Sequence, residues 1–454
     1  MTRPGARGAR HVLAAALFAI VATAGPAAAG TLLEALALAY TGNPALAAQR
    51  ERLRATDELL AQAQSGYRPS VVLEGDVGVE TVDTDRTSSD TLAPGGVALS
   101  VVQPLYRGGR TTAEVARARS LIRSERSRYF DVEQLILLEA VTVYVAVVRD
   151  EAVHELARNN EAVIGRQLDA TRDRFEVGEV TRTDVAQAEA RLAGAVADRV
   201  SAEGDVVVAA AAFLRVIGAP PEALETAEPL AGMPADEAEA QAVARTEHPA
   251  VVAAEFAEEA ARHDIRAAES DLLPELRLRG SLERGYDRAS AIARDDSASI
   301  RAEVTIPLYE AGFTHSVVRE NRLRAAERRL QTDQARLDVA ENVTRAWEQL
   351  VTARARIAAF EEAVRAAEIA LDGLEREAQV GSRTVLDVLD GEQELFQARV
   401  DLVRAESDLV VATYAVQAAE GRLTARNLGL PVALLDVEAY TSRIDGAWWG
   451  TAVE

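Results

Sequence analysis

Val380-Gly381-Ser382-Arg383-Thr384-Val385-Leu386-Asp387-Val388-Leu389-Asp390 joins two long helical patterns, and nearly the same wording stands earlier as Val177-Gly178-Glu179-Val180-Thr181-Arg182-Thr183-Asp184-Val185. In both, a glycine sits where the backbone must reverse and a β-carbon would be costly. Gly178 and Gly381 are 203 residues apart, and so are Asp184 and Asp387. A period that long, kept inside the motif, marks a duplicated half rather than a solenoid of small units.

Outward from each turn the chain reads as long helix. No proline interrupts Arg110 to Glu176 or Phe313 to Gln379. At ~1.5 Å per residue each run makes roughly 100 Å, too long for a globular domain. Val343, Leu350, Ile357, Val364 and Leu371 follow one another at seven-residue steps, and Val388, Leu395, Leu402, Leu409, Val416 and Leu423 continue the step after the turn. The first half has Val185, Leu192, Val206 and Phe213, with Arg199 interrupting. A seven-residue step favours left-handed packing against neighbouring helices. The return helices are expected to end near Gly218 and Leu428. A linker rich in Pro and Glu, Ala219 to Pro234, then separates the halves.

Before each long helix the period changes to two. Val71, Leu73, Gly75, Val77 and Val79 alternate with Glu74, Asp76, Gly78 and Glu80; Leu276, Leu278, Gly280 and Leu282 alternate with Arg277, Arg279, Ser281 and Glu283. Polar loops are expected at Asp83 to Pro94 and at Asp287 to Ser297. Second strands follow, with Val97, Leu99 and Val101 on one face in the first half and Ile300, Ala302, Val304 and Ile306 in the second. They end in Pro104-Leu105-Tyr106 and Pro307-Leu308-Tyr309. Strands of about ten residues, apolar on one face and charged on the other, fit a crossing of the bilayer with lipid outside and water inside. A half-buried hairpin on a soluble core would alternate similarly. Two hairpins in lipid leave open edges, so the sheet must close with other copies of the chain.

Ahead of the strands stand shorter helices. Thr31 to Ser65 breaks at Asn43-Pro44, and Glu239 to Asp271 breaks at His248-Pro249, an offset of 205. The tail from Pro431 has little periodicity; its Tyr440 and Trp448-Trp449 are expected to pack on the helices.

Residues 1–29 read as a secretory signal: Arg3, Arg7 and Arg10, an apolar core from Val12 to Ala24, and Ala27-x-Ala29 before Gly30. Its removal leaves 47 basic against 72 acidic residues, a net charge of −25. That charge argues against nucleic acid or an anionic lipid surface as partner. All fifty basic residues are arginine, and no cysteine is present to form a disulfide, a thiol nucleophile or an acylated N-terminus. After residue 29 no apolar run reaches the ~20 residues of a spanning helix.

Enzyme chemistry finds no foothold. The histidines, His11, His154, His248, His263 and His315, are scattered, and Gly95-Gly96 and Gly108-Gly109 lack the strand–helix context of a phosphate loop. Asp295-Asp296 reads as a solvated pair in a loop. The carboxylates at the helix turns differ. Asp387 and Asp390 are three apart and share a helix face. One reading is local: Thr384 to Asp387 and Thr181 to Asp184 have capping-box spacing. The other is assembly: copies around an axis would stack Asp387 and Asp390 into carboxylate rings, a device for selecting cations. Arg383 would stand beside them, within reach of Asp184 of a neighbouring helix pair.

Two repeats of helix, strand pair, very long helix, Val-Gly-x-x-Thr-x-x-Asp-Val turn and return helix resemble the TolC family of outer-membrane efflux ducts, over nearly the whole mature chain. Asn43-Pro44 and the Pro-Leu-Tyr pair add to the likeness. The resemblance implies a mainly α fold with a small transmembrane β part: a homotrimer forming a 12-stranded β-barrel in outer-membrane lipid, continued by a long periplasmic α-helical barrel. The divisions would be 1–29 signal peptide, 30–234 first repeat, 235–430 second repeat and 431–454 tail. It further implies a passive exit duct served by a periplasmic adaptor and an inner-membrane ABC or RND transporter, with no catalysis, cofactor or resident metal. The family's selectivity rings fall on Asp387 and Asp390, where a cation would block. Its gate-locking arginine falls on Arg383, with partners on Thr183 and Asp184; Gly178 and Gly381 are the turn glycines. The family's namesake carries a gate tyrosine where this chain has Ala378, which removes one link of that lock. The ending Gly429-Leu430-Pro431-Val432 with Trp448 resembles the branch serving type I protein secretion; drug efflux is the other expected cargo class. Outside this resemblance, a periplasm-spanning structural or adhesive coiled coil without a lumen is the competing expectation.

Overall fold

The structure, a computed structural model, describes residues 30–84, 87–289 and 292–452; the expected signal segment, 1–29, lies outside them. The helices of the first half are α1 (Leu32–Gly42), α2 (Pro44–Gln64), α3 (Arg110–Glu176) and α4 (Arg182–Ile217). Those of the second are α5 (Glu237–Glu247), α6 (Pro249–Glu269), α7 (Phe313–Gln379) and α8 (Val385–Ala419), followed by the short α9 (Ala439–Ile444). The strands are β1 (Ser70–Val77), β2 (Glu80–Thr84), β3 (Thr87–Leu92), β4 (Gly95–Arg107), β5 (Glu275–Ala289) and β6 (Ile292–Thr305).

The breaks follow from local chemistry. Pro44 has no N–H to donate, so α1 ends at Asn43, whose side-chain oxygen then caps α2 by accepting from the Ala45 N–H at 2.9 Å. His248 takes the same post between α5 and α6, its Nδ1 accepting from the Ala250 N–H at 3.1 Å. Buried at that joint, the imidazole is held neutral, its pKa pushed down to about 4.

β1, β4, β5 and β6 form one antiparallel sheet in that order. Its register sorts the side chains by face. Val71, Val101, Gly280 and Ile300 lie in one row across the sheet, and Leu73, Leu99, Leu282 and Ala298 in the next row of that face. Between them, on the other face, run Val72, Ser100, Ser281 and Ser299. One face is thus apolar over several rows, while the other carries Glu74, Glu283, Arg279 and Arg301. The apolar face ends where Arg284 pairs with Asp296 at 2.7 Å, one row short of Tyr286. In lipid this is the alternation a barrel wall needs.

The helices repeat the order of the strands. Beside the sheet, α2 packs on α3, α3 on α6 and α6 on α7; further down, α4 packs on α3, α3 on α8 and α8 on α7. Each layer is an arc of four with two free ends. The largest buried cluster joins α1, α3, α4, α8 and the tail around Tyr129, Tyr144, Phe213 and Leu137. There Glu133, 3% exposed, accepts from the Ala425 N–H at 2.7 Å, and burial pushes its pKa up to about 7.

Four expectations need correction. The polar stretch Asp83 to Pro94 is no loop: β2 and β3 pair as a hairpin. Asp287 to Ser297 is also largely strand, so Asp295 and Asp296 lie on β6 and not in a loop. Backbone pairing needs no apolar face, and a run of mostly polar residues carries no alternation to read. The second return helix stops at Ala419 instead of Leu428. The chain reverses at Gly421 (φ 86°), where a β-carbon would stand 2.7 Å from the His248 Cα, and Gln134 and Glu133 of α3 take up the N–H groups of Leu423 and Ala425. In the tail, Tyr440 is buried and its hydroxyl donates to Glu58 at 2.6 Å, but Trp449 is 92% exposed and packs on no helix.

Candidate gate at the helix tips

The two turns share one geometry. Gly178 (φ 82°) and Gly381 (φ 77°) are left-handed, with open space where a β-carbon would stand. Their φ alone demands glycine. The Glu179 N–H reaches back to the Arg174 carbonyl and the Ser382 N–H to the Glu377 carbonyl, each at 2.9 Å, the closing bond of a glycine-terminated helix.

The return helices then start on capping boxes. Asp387 Oδ2 accepts from the Thr384 N–H at 2.9 Å and from its hydroxyl at 2.8 Å, while the Thr384 oxygen accepts from the Asp387 N–H at 3.3 Å. Asp184 and Thr181 make the same set, at 2.7, 2.8 and 3.3 Å. The capping reading therefore holds for both aspartates. These bonds fall on Oδ2 alone, so capping leaves the other oxygen of each carboxylate for a second role. The Thr384 N–H and hydroxyl hold the Asp387 pKa below the usual carboxylate range, with Arg383 adding to it.

Within one chain Arg383 does not meet Asp184. Its Nε donates to Glu377 at 2.8 Å, one turn back along α7. Asp390 pairs with Arg191 of α4, an ion pair that ties the two tips together. Thr183 is exposed. Beneath the polar groups, Val385 and Leu389 of α8 pack on Ile164, Leu168 and Ala188 of the first hairpin, and Ala378 packs beside Leu371 and Val388. The small side chain at 378 thus belongs to the seam of the second hairpin.

Glu377 and Arg191 are the residues that sequence reasoning passed over. Glu377 was legible, since the turn folds residue 382 back onto its carbonyl and carries Arg383 with it. Arg191 had a fainter signal: it stands one helical turn after Gln187, which occupies the slot of Asp390 in the first repeat. Among the described residues no cluster of three or more His, Asp or Glu side chains is arranged to hold a metal.

The outer membrane efflux protein pattern matches residues 35–219 and 242–422, one stretch in each half. The chain belongs to the outer membrane efflux protein family. Among its relatives is the outer membrane efflux protein BepC of Brucella suis, 35% identical over 98% of this chain and 97% of that protein. The outer membrane protein TolC of Vibrio cholerae is 29% identical over 86% of this chain and 90% of its own length. The alkaline protease secretion protein AprF of Pseudomonas aeruginosa is 26% identical over 69% and 67%. The solved outer membrane protein VceC of Vibrio cholerae superposes with a TM-score of 0.75 at 20% identity, covering 86% of this chain and 96% of that one, which establishes the fold. As an outer membrane efflux family member the chain is a channel component of the outer membrane. Its long helices extend into the periplasm.

Proposed function

We propose that three copies of this chain close into one exit duct, a barrel of three times four strands continued by a ring of helices, which passively conducts substrates handed over by an inner-membrane transporter and a periplasmic adaptor. The observation that carries this is the agreement of three open arcs. β1–β4–β5–β6, α2–α3–α6–α7 and α4–α3–α8–α7 run in matched order, each an open row with two end members. Head-to-tail association of such arcs closes a ring. Type I protein secretion and drug efflux are the cargo classes, in keeping with relatives named for efflux and for protease secretion. Cargo choice and energy belong to the transporter, and the chain itself catalyses nothing. A scaffold without a lumen would have no use for a polar inner sheet face.

The domain division that follows is a signal peptide at 1–29, repeats at 30–234 and 235–430, and a tail at 431–454. The gate lies at the tips: rings of Asp387 and Asp390 select cations, Arg383 exchanges Glu377 for Asp184 and Thr183 of the adjoining pair when the ring closes, and Gly178 and Gly381 form the turns. Single-channel conductance in planar bilayers, with and without a divalent or trivalent cation, tests it. Cation-selective steps, blocked from the periplasmic side and unblocked in Asp387→Ala/Asp390→Ala, support duct and rings together. Steps indifferent to those aspartates discard the rings. Silence in both the wild type and Arg383→Ser favours the scaffold.

A further inference from the structure

The tail does not stay with the helical core. From Leu435, whose N–H donates to the Tyr40 hydroxyl at 3.1 Å, it climbs along α2 toward the sheet. Tyr440 bonds Glu58, Arg126 bonds Thr441 at 2.9 Å, and Gln64 bonds Asp445 at 2.7 Å. Arg68 donates to the Ala447 carbonyl and stacks its guanidinium 5.0 Å from the centre of the Trp448 ring. Arg68 stands two residues before β1, so the tail has been carried to the level where helices give way to strands.

At that level Trp448 stands beside the apolar face of the sheet. It lines a cleft of about 640 Å³ with Tyr67, Gln103, Thr112 and Arg119. Gln103 pairs with Leu278 in the apolar rows of the sheet, and its amide donates to the Tyr67 carbonyl at 2.9 Å. Tyr106, on the next outward row, is half exposed, as is Tyr67. Trp449 is 92% exposed, a large apolar ring with almost no cover from the described residues. Amphipathic rings grouped at the end of an apolar wall, with two guanidinium groups among them, match the headgroup layer of a bilayer, where Trp and Tyr concentrate and arginine meets phosphate.

We propose that Trp448 and Trp449 anchor the tail in the phospholipid headgroup layer on the periplasmic side of the outer membrane. The tail then works as a strap, joining the lipid interface to the core around Tyr40 and Glu133 along the whole of α2. This rests on the outer-membrane placement and not on the gate. It needs no net positive surface, since ring burial and phosphate contacts act locally.

The chain's three tryptophans make the test direct, because the third, Trp347, lies on α7 within the helical core, some 50 Å below the start of that helix at ~1.5 Å per residue. The full protein is reconstituted in phosphatidylethanolamine–phosphatidylglycerol vesicles that carry a spin label on the headgroup or at mid-chain. In Trp347→Phe, which keeps only the tail pair, the headgroup label should quench about half the emission and the mid-chain label clearly less, as for interfacial rings. In Trp448→Phe/Trp449→Phe, which keeps only Trp347, neither label should act. Two results overturn the proposal. Tail tryptophans untouched by lipid labels but quenched by aqueous iodide would lie in water. Tail tryptophans shielded from both would be covered by protein, pointing to another copy of the chain.

Discussion

α3 and α7 are equal in length, 67 residues each, and stand in matched places of the two repeats, yet their surroundings differ. α3 lies inside the arc, touching α1, α2, α4, α6 and α8, whereas α7 ends it and touches α5, α6 and α8. Burial follows: 24 residues of α3 are buried against 10 of α7, so more of the second helix is left uncovered by its own chain. Leu323, Leu330 and Leu337, seven apart, are 72%, 69% and 65% exposed. Offset by 203, the same slots of α3 hold Ser120, Ser127 and Gln134. Ser120 donates to Glu259 of α6 at 3.1 Å, and Gln134 accepts from the Leu423 N–H at 3.2 Å. Equivalent positions on one backbone are polar in α3, where Ser120 and Gln134 meet partners from α6 and the tail, and apolar in α7, where the described residues leave them uncovered; the proposed ring of copies would cover them.

Making α7 resemble α3 is the severest test. Leu323→Ser/Leu330→Ser/Leu337→Ser should remove roughly 1.5–3 kcal/mol of burial per leucine from each closed interface. Native mass spectrometry should then find protomers, with helicity by circular dichroism unchanged; intact trimers would show that the stripe is not an interface. The helix joints come next, Asn43 against His248. A histidine with a depressed folded pKa contributes stability that is present above its unfolded value near 6.5 and is lost as pH falls toward about 4. His248→Asn, copying the first repeat, should match the wild type at pH 7.5 and exceed it by about 2 kcal/mol near pH 4–5. Equal melting curves at both pH values would break the comparison. At the turns, where the repeats agree, Gly178→Ala and Gly381→Ala should each cost about 1–2 kcal/mol by chemical denaturation. The smallest difference is between the caps. Thr181→Ala and Thr384→Ala should each cost about 1 kcal/mol. Thr384→Ala also removes the hydroxyl that helps the Thr384 N–H hold the Asp387 pKa down, so cation block should fail at a slightly higher pH in that variant than in the wild type, as read from block against pH.

Much of this architecture was legible because it is periodic. Seven-residue spacing from Val343 to Leu371 marks the packed seam of α7, and alternation from Leu276 to Leu282 sorts the apolar residues of β5 onto one face of the sheet, as the register shows. The turns were legible because a left-handed glycine and a Thr-x-x-Asp cap are local devices. The β2–β3 hairpin was not, since its sequence is mostly polar and backbone pairing leaves no periodic signal in such a run. Arg383 was read through a partner in a closed ring, whereas in the single chain the nearer Glu377 claims it. Asp390's tie to Arg191 joins residues 199 apart and depends on how two helix pairs lean together, which no spacing encodes.

By itself the sequence determined the duplication, the long helices, the strand faces and the capped turns, because each rests on contacts within a few residues or on one repeated period. Tertiary structure alone decided the order of the arcs, the partner of Asp390, and the path of the tail up to the level of the sheet. Those depend on contacts between residues hundreds of positions apart, such as Arg68 with Ala447, whose geometry is settled only when the helices have packed.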